Sequence, residues 1–238
     1  MNGKFVALAV AFLIPLAFFI LIDYVDILGI QGLGNGPQVN RFVPASASKT
    51  GGEGYLVNDT LWHQVPDFKF LAHTGDSITL NRFKDKVFVT DFFFTNCPSI
   101  CPNMTKHLKL VQDEMKFKKF KDVMILSHTV DPDRDTLETL NTYADLYEAD
   151  SSMWLFVTGD KKKLYEQARN AYFVSATEGN GGEEDFIHSE KLVLIDKYRV
   201  IRGFYDGTNL KDVQRLIVDI ATVKLEYPRP KKERISPF

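Results

Sequence analysis

The sequence predicts an α/β fold in which helices cover a mixed β-sheet. Apolar runs rich in β-forming residues alternate with segments whose apolar residues recur at helical spacing. The 238 residues are 45% hydrophobic and 13% aromatic, enough to bury one sizeable core. The formal net charge of −2 gives no electrostatic basis for binding nucleic acid.

The first elements follow from local patterns. Two β-forming runs flank residues 73–76 (HTGD), which predicts a short hairpin. The run 86–94 is largely apolar and rich in β-forming residues, as expected of a buried central strand. A helix should follow Pro102, a favourable first-turn residue, because apolar residues then recur at helical spacing, namely Met104, Leu108, Val111 and Met115.

The alternation continues toward the C-terminus. Strands are predicted at 123–126 and 153–157, and a second hairpin pairs 192–195 with 200–204. The remaining segments are predicted helices, the first with a capping residue at its start: 135–147, 161–172 and 208–223. An N-terminal β-hairpin, two βα units and a terminal ββα unit together predict a thioredoxin-like domain.

The N-terminal segment 5–22 (FVALAVAFLIPLAFFILI) carries no charge and predicts one transmembrane helix. A cleaved signal peptide or a buried helix are the alternatives, but residues 23–26 (DYVD) offer no small-residue cleavage site. Lys4 precedes the apolar run, which favours an N-terminus in the cytoplasm. We therefore expect a single-pass protein of the cell inner membrane, with its C-terminal domain on the periplasmic side.

Composition divides the chain into four parts. Residues 1–28 are the expected membrane anchor. Residues 29–64, rich in Gly, Ser, Ala and Asn over most of their length, are expected to form a flexible tether. The thioredoxin-like domain is expected at 65–227, and the charged residues 228–238 resemble a solvated tail.

Cys97 and Cys101 are the only cysteines, and they lie between the central strand and the next helix. A helix N-terminus favours thiolate over thiol, and a spacing of four brings both sulfurs to one side of a turn. They can then share one ion or form a disulfide. A purely structural disulfide is the alternative, but closing so short a loop restricts the unfolded chain little. We interpret the pair as redox-active or metal-binding, near the surface and open to ligand exchange.

Two thiolates suit Cu(I), and one imidazole would complete a three-coordinate site. His63 and His73 precede the central strand and are predicted at the surface, and His107 lies off the apolar stripe of its helix and should face solvent. His128 follows a strand and remains a candidate. His188 lies in the loop before the strand at 192, and in a thioredoxin-like sheet this loop faces the cysteine turn. Position alone therefore does not decide whether His188 is a ligand.

Four segments, in order over about 65–225, resemble the Sco/SenC copper chaperone family. The segment FFFTNCPSICPNM resembles its F-x-x-T-x-C-P-x-x-C-P signature, and residues 129–136 (TVDPDRDT) resemble its V-D-P-x-R-D-T segment. Residues 154–159 (WLFVTG) resemble its W-x-x-x-T-G strand end. His188, followed by Ser189, falls where the family has its ligand histidine.

This resemblance implies a thioredoxin-like fold and a copper ion bound by Cys97, Cys101 and His188. It also implies delivery of copper to the binuclear copper centre of cytochrome c oxidase, on the copper-bearing subunit, or reduction of the cysteines of that centre. Transfer of an ion through shared thiolates breaks no bond in a substrate, so enzymatic activity is not required.

The chain departs from the family pattern beside the histidine. Ile187 occupies the position that is usually acidic, and Asp185 lies three residues before His188, so a carboxylate that steers the imidazole is not assured. Asp131 and Asp135 are further candidates to lie near the site. Turn formation and helix capping account for these two residues equally well.

The alternative function is a thiol–disulfide oxidoreductase of thioredoxin type without stable metal binding. Three residues rather than two separate the cysteines, and no proline lies between Pro132 and Pro228 to form the usual cis-proline. A peroxidase of the peroxiredoxin type is a third hypothesis. It would require a Thr-x-x-Cys arrangement, whereas Thr95 lies only two residues before Cys97. Copper transfer and thiol reduction remain open, since both use the same cysteines.

Overall fold

The computed structural model describes residues 39, 54–57, 60–174 and 189–226. Residues 39–223 form one unit of the chain, which is the domain considered below. The predicted anchor 1–28, the predicted tail 228–238 and His188 lie outside the described residues. Within the described ranges no helix is long and apolar enough to cross a membrane.

The described residues form a two-stranded sheet and a seven-stranded mixed sheet. The strands are β1 (Gly54–Val57), β2 (Thr60–His63), β3 (Lys69–Ala72), β4 (Ser77–Thr79), β5 (Val87–Phe93), β6 (Val123–Thr129), β7 (Trp154–Thr158), β8 (Lys191–Ile195) and β9 (Ile201–Asp206). β1 and β2 make the small sheet, and the large sheet has the order β4-β3-β7-β6-β5-β8-β9. In the large sheet β5, β6 and β7 run parallel, and the other neighbours pair antiparallel.

Helices flank the large sheet, which confirms the predicted α/β class and thioredoxin-like arrangement. Each predicted helix is present, with its ends shifted by a few residues. The predicted helix 161–172 changes from α to π geometry partway along. The bounds are α1 (Cys101–Phe117), α2 (Leu137–Leu146), α3 (Lys161–Glu166, continued by the π-helical turn Gln167–Ala171) and α4 (Leu210–Leu225), with a short 3₁₀ helix at Leu80–Phe83.

Strand β5 carries the cysteine turn at its C-terminal end. All seven of its residues are buried, as the apolar run predicts, and it lies between parallel β6 and antiparallel β8. Helix α1 starts after the turn, and its predicted apolar stripe is fully buried, at Met104, Leu108, Val111 and Met115. The turn is therefore held between a buried strand and a buried helix face.

The two faces of the sheet have different covers. On one face Phe88 and Phe92 of β5 pack in the core cluster with Leu164 and Tyr172, from α3 and the segment after it. On the other face α1 and α2 meet through a 2.8 Å hydrogen bond between the hydroxyls of Thr105 and Tyr143. The Tyr143 ring stacks on Phe93 with centroids 5.2 Å apart.

Part of the predicted tether, 29–64, is paired structure. β1 and β2 form an antiparallel hairpin in which Gly54 pairs with His63. The cause is visible in the sequence, because β-forming residues flank Asn58-Asp59, a turn-forming pair. A tether of this composition is therefore expected to end near residue 53.

Candidate functional site

The cysteine turn connects β5 to α1. The N–H of Cys97 donates to the carbonyl of Phe94 at 3.2 Å, which closes a four-residue turn. The N–H of Cys101, the first residue of α1, donates to Cys97 Sγ at 3.5 Å. The Cys97 sulfur therefore acts as an acceptor at the helix N-terminus, where first-turn N–H groups lack a helical partner.

Cys97 and Cys101 are free cysteines with opposite acid–base character. Burial alone would raise the pKa of Cys97, but hydrogen bonds from the thiol and N–H of Cys101 and from Ser99 hold it below its usual value. Burial, the hydrogen bond to Cys97 and the nearby charges of Cys97 and Asp91 raise the pKa of Cys101 to about 12. The pair thus combines a favoured thiolate with a thiol that donates to it.

The side chains of both cysteines are buried. Cys97 is 5% exposed and Cys101 is 4% exposed. The physical reason is that Cys101 belongs to the packed face of α1, while the turn folds Cys97 back over the helix start.

A small cleft opens beside Cys101. Phe94 and Ile100 line it from the cysteine turn, and Val130 and Ser189 line it from the neighbouring loops. Ser189 is 6% exposed and is the residue that follows His188. Among the described residues no set of three or more His, Cys, Asp or Glu side chains forms a metal site, so the described part of the predicted ligand set consists of two thiols.

Two histidines predicted at the surface are buried, and the prediction was wrong for both. His63 is 1% exposed and donates from Nε2 to the carbonyl of Ala171 at 3.1 Å. His73 is 6% exposed, and its Nδ1 accepts from the N–H of Phe156 at 3.2 Å. Burial lowers the pKa of both. Their partners lie 108 and 83 positions away in the chain, a proximity that local sequence does not reveal.

The other two described histidines also have structural partners. His107 is half-buried rather than solvent-facing, and its Nδ1 donates to the carbonyl of Gly207 at 2.6 Å. His128 lies in β6, fully buried, with its ring stacked on Phe92 at 4.8 Å. The hydroxyl of Thr90 donates to a carbonyl, so His128 Nδ1 carries the proton of their 3.0 Å hydrogen bond. Burial lowers the pKa of His128 to about 3, which keeps it neutral.

Asp91 is a buried acidic residue that motif reasoning missed. It lies in β5 opposite Ser127 of β6, is 1% exposed, and its Oδ1 has no hydrogen-bond partner among the described residues. Burial raises its pKa to about 7, against a hydrogen bond from Ser127. Its charge also raises the pKa of Cys101, so the two side chains are electrostatically coupled. An acidic residue inside a largely apolar strand was the available signal.

Asp131 and Asp135, the two candidates from the 129–136 segment, differ in role. Asp131 lies 3.6 Å from the exposed guanidinium of Arg134. Asp135 is 1% exposed and accepts hydrogen bonds from Thr95 of the cysteine turn and from Thr129. Asp135 is therefore adjacent to the cysteine turn, whereas Asp185 lies outside the described residues.

Comparisons with known proteins agree with this architecture. The SCO1/SenC family model matches residues 60–224. The SCO1 protein homolog of Bacillus subtilis is 30% identical over 167 residues, which are 70% of this chain and 86% of that protein.

Solved structures give the same result. BsSco, described as a member of the Sco family of cytochrome c oxidase assembly proteins and as containing a disulfide switch, has a TM-score of 0.60 and 28% identity, covering 71% of this chain and 98% of that chain. ScoI of Arabidopsis thaliana, crystallised with copper bound, shares the fold with a TM-score of 0.55 at 24% identity, covering 67% of this chain and 98% of that chain. The chain belongs to the SCO1/SenC family.

Proposed function

We propose that this protein is a copper chaperone that holds its cargo ion through the thiolates of Cys97 and Cys101 and the imidazole of His188. The observation that carries the proposal is the pair of free cysteines at the start of α1, with Cys97 Sγ accepting the N–H of Cys101. Soft thiolates select Cu(I) over the harder ions that carboxylates prefer. The lowered pKa of Cys97 supplies one ligand already in its binding form.

Ser189 supports His188 as the third ligand. Ser189 lines the same cleft as Cys101. His188 directly precedes Ser189 in the sequence, and adjacent Cα atoms are about 3.8 Å apart. The four other histidines already have structural partners in the fold, which leaves His188 as the candidate that the sequence favours.

We propose the binuclear copper centre of cytochrome c oxidase, on its copper-bearing subunit, as the acceptor. The support comes from relatives: BsSco belongs to a family of cytochrome c oxidase assembly proteins, and Arabidopsis ScoI was crystallised with copper. Cu(I) would pass by ligand exchange from Cys97 and Cys101 to acceptor ligands. The ion remains Cu(I) throughout the transfer, and the thiolates of Cys97 and Cys101 can be protonated once it has left.

Reduction of a disulfide formed by the acceptor's cysteines is a second candidate function, favoured by the unequal acidity of Cys97 and Cys101. The Cys97 thiolate attacks a disulfide of the acceptor, and Cys101 then resolves the mixed disulfide. The acceptor gains two electrons and two protons and becomes a dithiol, while Cys97 and Cys101 become a disulfide. The lowered pKa of Cys97 suits the attacking sulfur.

The membrane topology is part of the same proposal. Residues 5–22 anchor the protein in the cell inner membrane as a single span, and residues 29–53 tether a periplasmic domain that continues to residue 227, followed by a tail at 228–238. Protease added to intact spheroplasts should digest the domain, and removal of residues 1–28 should release it from the membrane fraction. A domain protected from protease would contradict the orientation.

Anaerobic titration of the reduced protein with Cu(I), against a competing chelator, tests the chaperone function. One tight equivalent is expected, and it should be lost in Cys97→Ser and Cys101→Ser and weakened at least about tenfold in His188→Ala. His107→Ala is the matched control, because His107 lies on α1 but is bonded to Gly207.

The outcomes separate the candidate functions. Absence of a tight equivalent, together with rapid reduction of a disulfide substrate by the metal-free protein, would replace the chaperone function with the oxidoreductase. Equal loss of Cu(I) affinity in His188→Ala and His107→Ala would remove His188 from the ligand set while leaving the two thiolates in place.

A further inference from the structure

The buried carboxylate of Asp135 contacts the turn that carries Cys97. Asp135 lies in the connection from β6 to α2 and is 1% exposed. Its oxygens lie 3.3 and 3.4 Å from the backbone nitrogen of Thr95, and the Thr95 hydroxyl also donates to the carboxylate. The hydroxyl of Thr129, at the end of β6, donates to the same carboxylate. One carboxylate thus joins the cysteine turn to the neighbouring strand.

Thr95 is the second residue of the Phe94–Cys97 turn. Its backbone orientation therefore determines where the turn delivers Cys97. Cys97 Sγ in turn accepts the N–H of Cys101 at 3.5 Å. A continuous series of contacts runs from Asp135 through the turn to both sulfur-bearing residues.

The alternatives raised by the sequence do not account for this contact. Helix capping falls to Thr136, whose hydroxyl accepts the N–H of Thr139 at 3.3 Å. The turn at 131–135 is closed by a backbone hydrogen bond from Asp135 to the carbonyl of Asp131, which needs no carboxylate. Burying a carboxylate is costly unless donors satisfy it. Here the donors come from the cysteine turn and from β6.

We infer that Asp135 is a positioning residue that holds the Cys97 turn at the separation from Cys101 required for shared copper binding and for disulfide closure. This inference rests on the proposed function of the two cysteines. The carboxylate touches neither sulfur and acts through Thr95. Loss of the contact would leave both thiols in place but lower the fraction of time they are correctly spaced.

Asp135→Asn removes the charge and one acceptor, and Asp135→Glu keeps the charge but moves the carboxylate by one methylene. Thr95→Val removes only the hydroxyl donor, and Thr95→Ser retains both donors. Asp150→Asn is the matched control. Asp150 also accepts hydrogen bonds from a nearby serine and pairs with Lys116, close to the C-terminal end of α1.

Two properties are measured on the full chain under conditions where each variant is folded. The first is the equilibrium with oxidised dithiothreitol, which takes two electrons and two protons from Cys97 and Cys101 while one S–S bond forms in the protein. The second is Cu(I) affinity. Both Asp135 variants should lower both constants by about tenfold or more. Thr95→Val should lower them less, and Thr95→Ser should recover most of the loss.

Asp150→Asn should reduce the urea midpoint without changing either constant. If the Asp135 variants lose stability but leave the disulfide constant unchanged, the inference is overturned. If Asp135→Asn does not fold, an unchanged disulfide constant in Thr95→Val overturns the inference instead. If the unsubstituted protein binds no Cu(I), the proposed function fails, but the disulfide constant still tests the positioning role.

Discussion

The buried carboxyl of Asp91 predicts a distinct dependence of stability on pH. In the folded protein its pKa is raised from 3.8 to about 7, chiefly by burial. Between these values the unfolded chain releases a proton that the folded chain retains, so stability falls as pH rises. The difference between these two pKa values corresponds to a loss of stability of about 4 kcal/mol. This loss is complete above pH 7 and absent below pH 3.8.

Asp91→Asn isolates this contribution. Asparagine has nearly the same shape but no charge to bury, so the variant should gain stability relative to the unsubstituted protein as pH rises. Between pH 4.5 and 8 the difference in free energy of unfolding should change by about 3 kcal/mol in favour of the variant. Burial of the histidines also makes stability depend on pH, but this contribution is common to both proteins and cancels in the difference.

Urea unfolding of the reduced protein, followed by fluorescence at pH 4.5, 6 and 8, measures the difference. The Cys101 thiol stays protonated over this range because its pKa is raised to about 12. Asp150→Asn is the control. The pKa of Asp150 is lowered to about 2, so the contribution of its carboxylate to stability is constant above about pH 5. A difference for Asp91→Asn that stays constant within about 1 kcal/mol from pH 4.5 to 8 would refute the reasoning.

Three further perturbations test the packing around the site. His128 has a pKa of about 3, so acidification from pH 7 to 5 should cost the unsubstituted protein about 2 kcal/mol that His128→Leu does not lose, as thermal unfolding at both pH values would measure; equal losses would contradict a buried neutral ring. Leu108→Ala should lower the urea-derived free energy of unfolding by about 2–5 kcal/mol, because Leu108 is fully buried on α1; a loss below about 1 kcal/mol would argue against that packing. Gly203→Ala places a Cβ 2.6 Å from Tyr205 Cζ and should cost about 1–3 kcal/mol in the same assay, with weakening of the 2.7 Å Tyr205–Asp219 hydrogen bond; unchanged stability would contradict the close approach.

Much of the fold was predictable because its elements are locally encoded. The apolar run at 86–94 became β5, and the apolar residues that recur between Met104 and Met115 became the buried face of α1. The hairpin at β1 and β2 was missed, since composition averaged over 29–64 concealed a short β-forming stretch around Asn58-Asp59. Segment averages are weak where an element is only four residues long.

The histidines show the limit of local reasoning most clearly. His63 and His73 were predicted at the surface, yet both are buried by segments distant in the chain, and His63 bonds to a residue 108 positions away. The sequence left His128 as a candidate ligand. In the structure it lies within β6 as a buried core residue. Burial depends on which segments meet, and periodicity over a short window carries no information about that.

For the candidate site, the sequence by itself determined the cysteine pair at the start of a helix, the order of elements around it and membership of the SCO1/SenC family. These features depend on residue type and short spacing. Only the tertiary structure decided the unequal acidity of Cys97 and Cys101, the electrostatic coupling of Asp91 to Cys101, and the contact of Asp135 with Thr95 across 40 residues. Each of these depends on burial and on distances across the sheet, which exist only once β5, β6 and α1 have packed together.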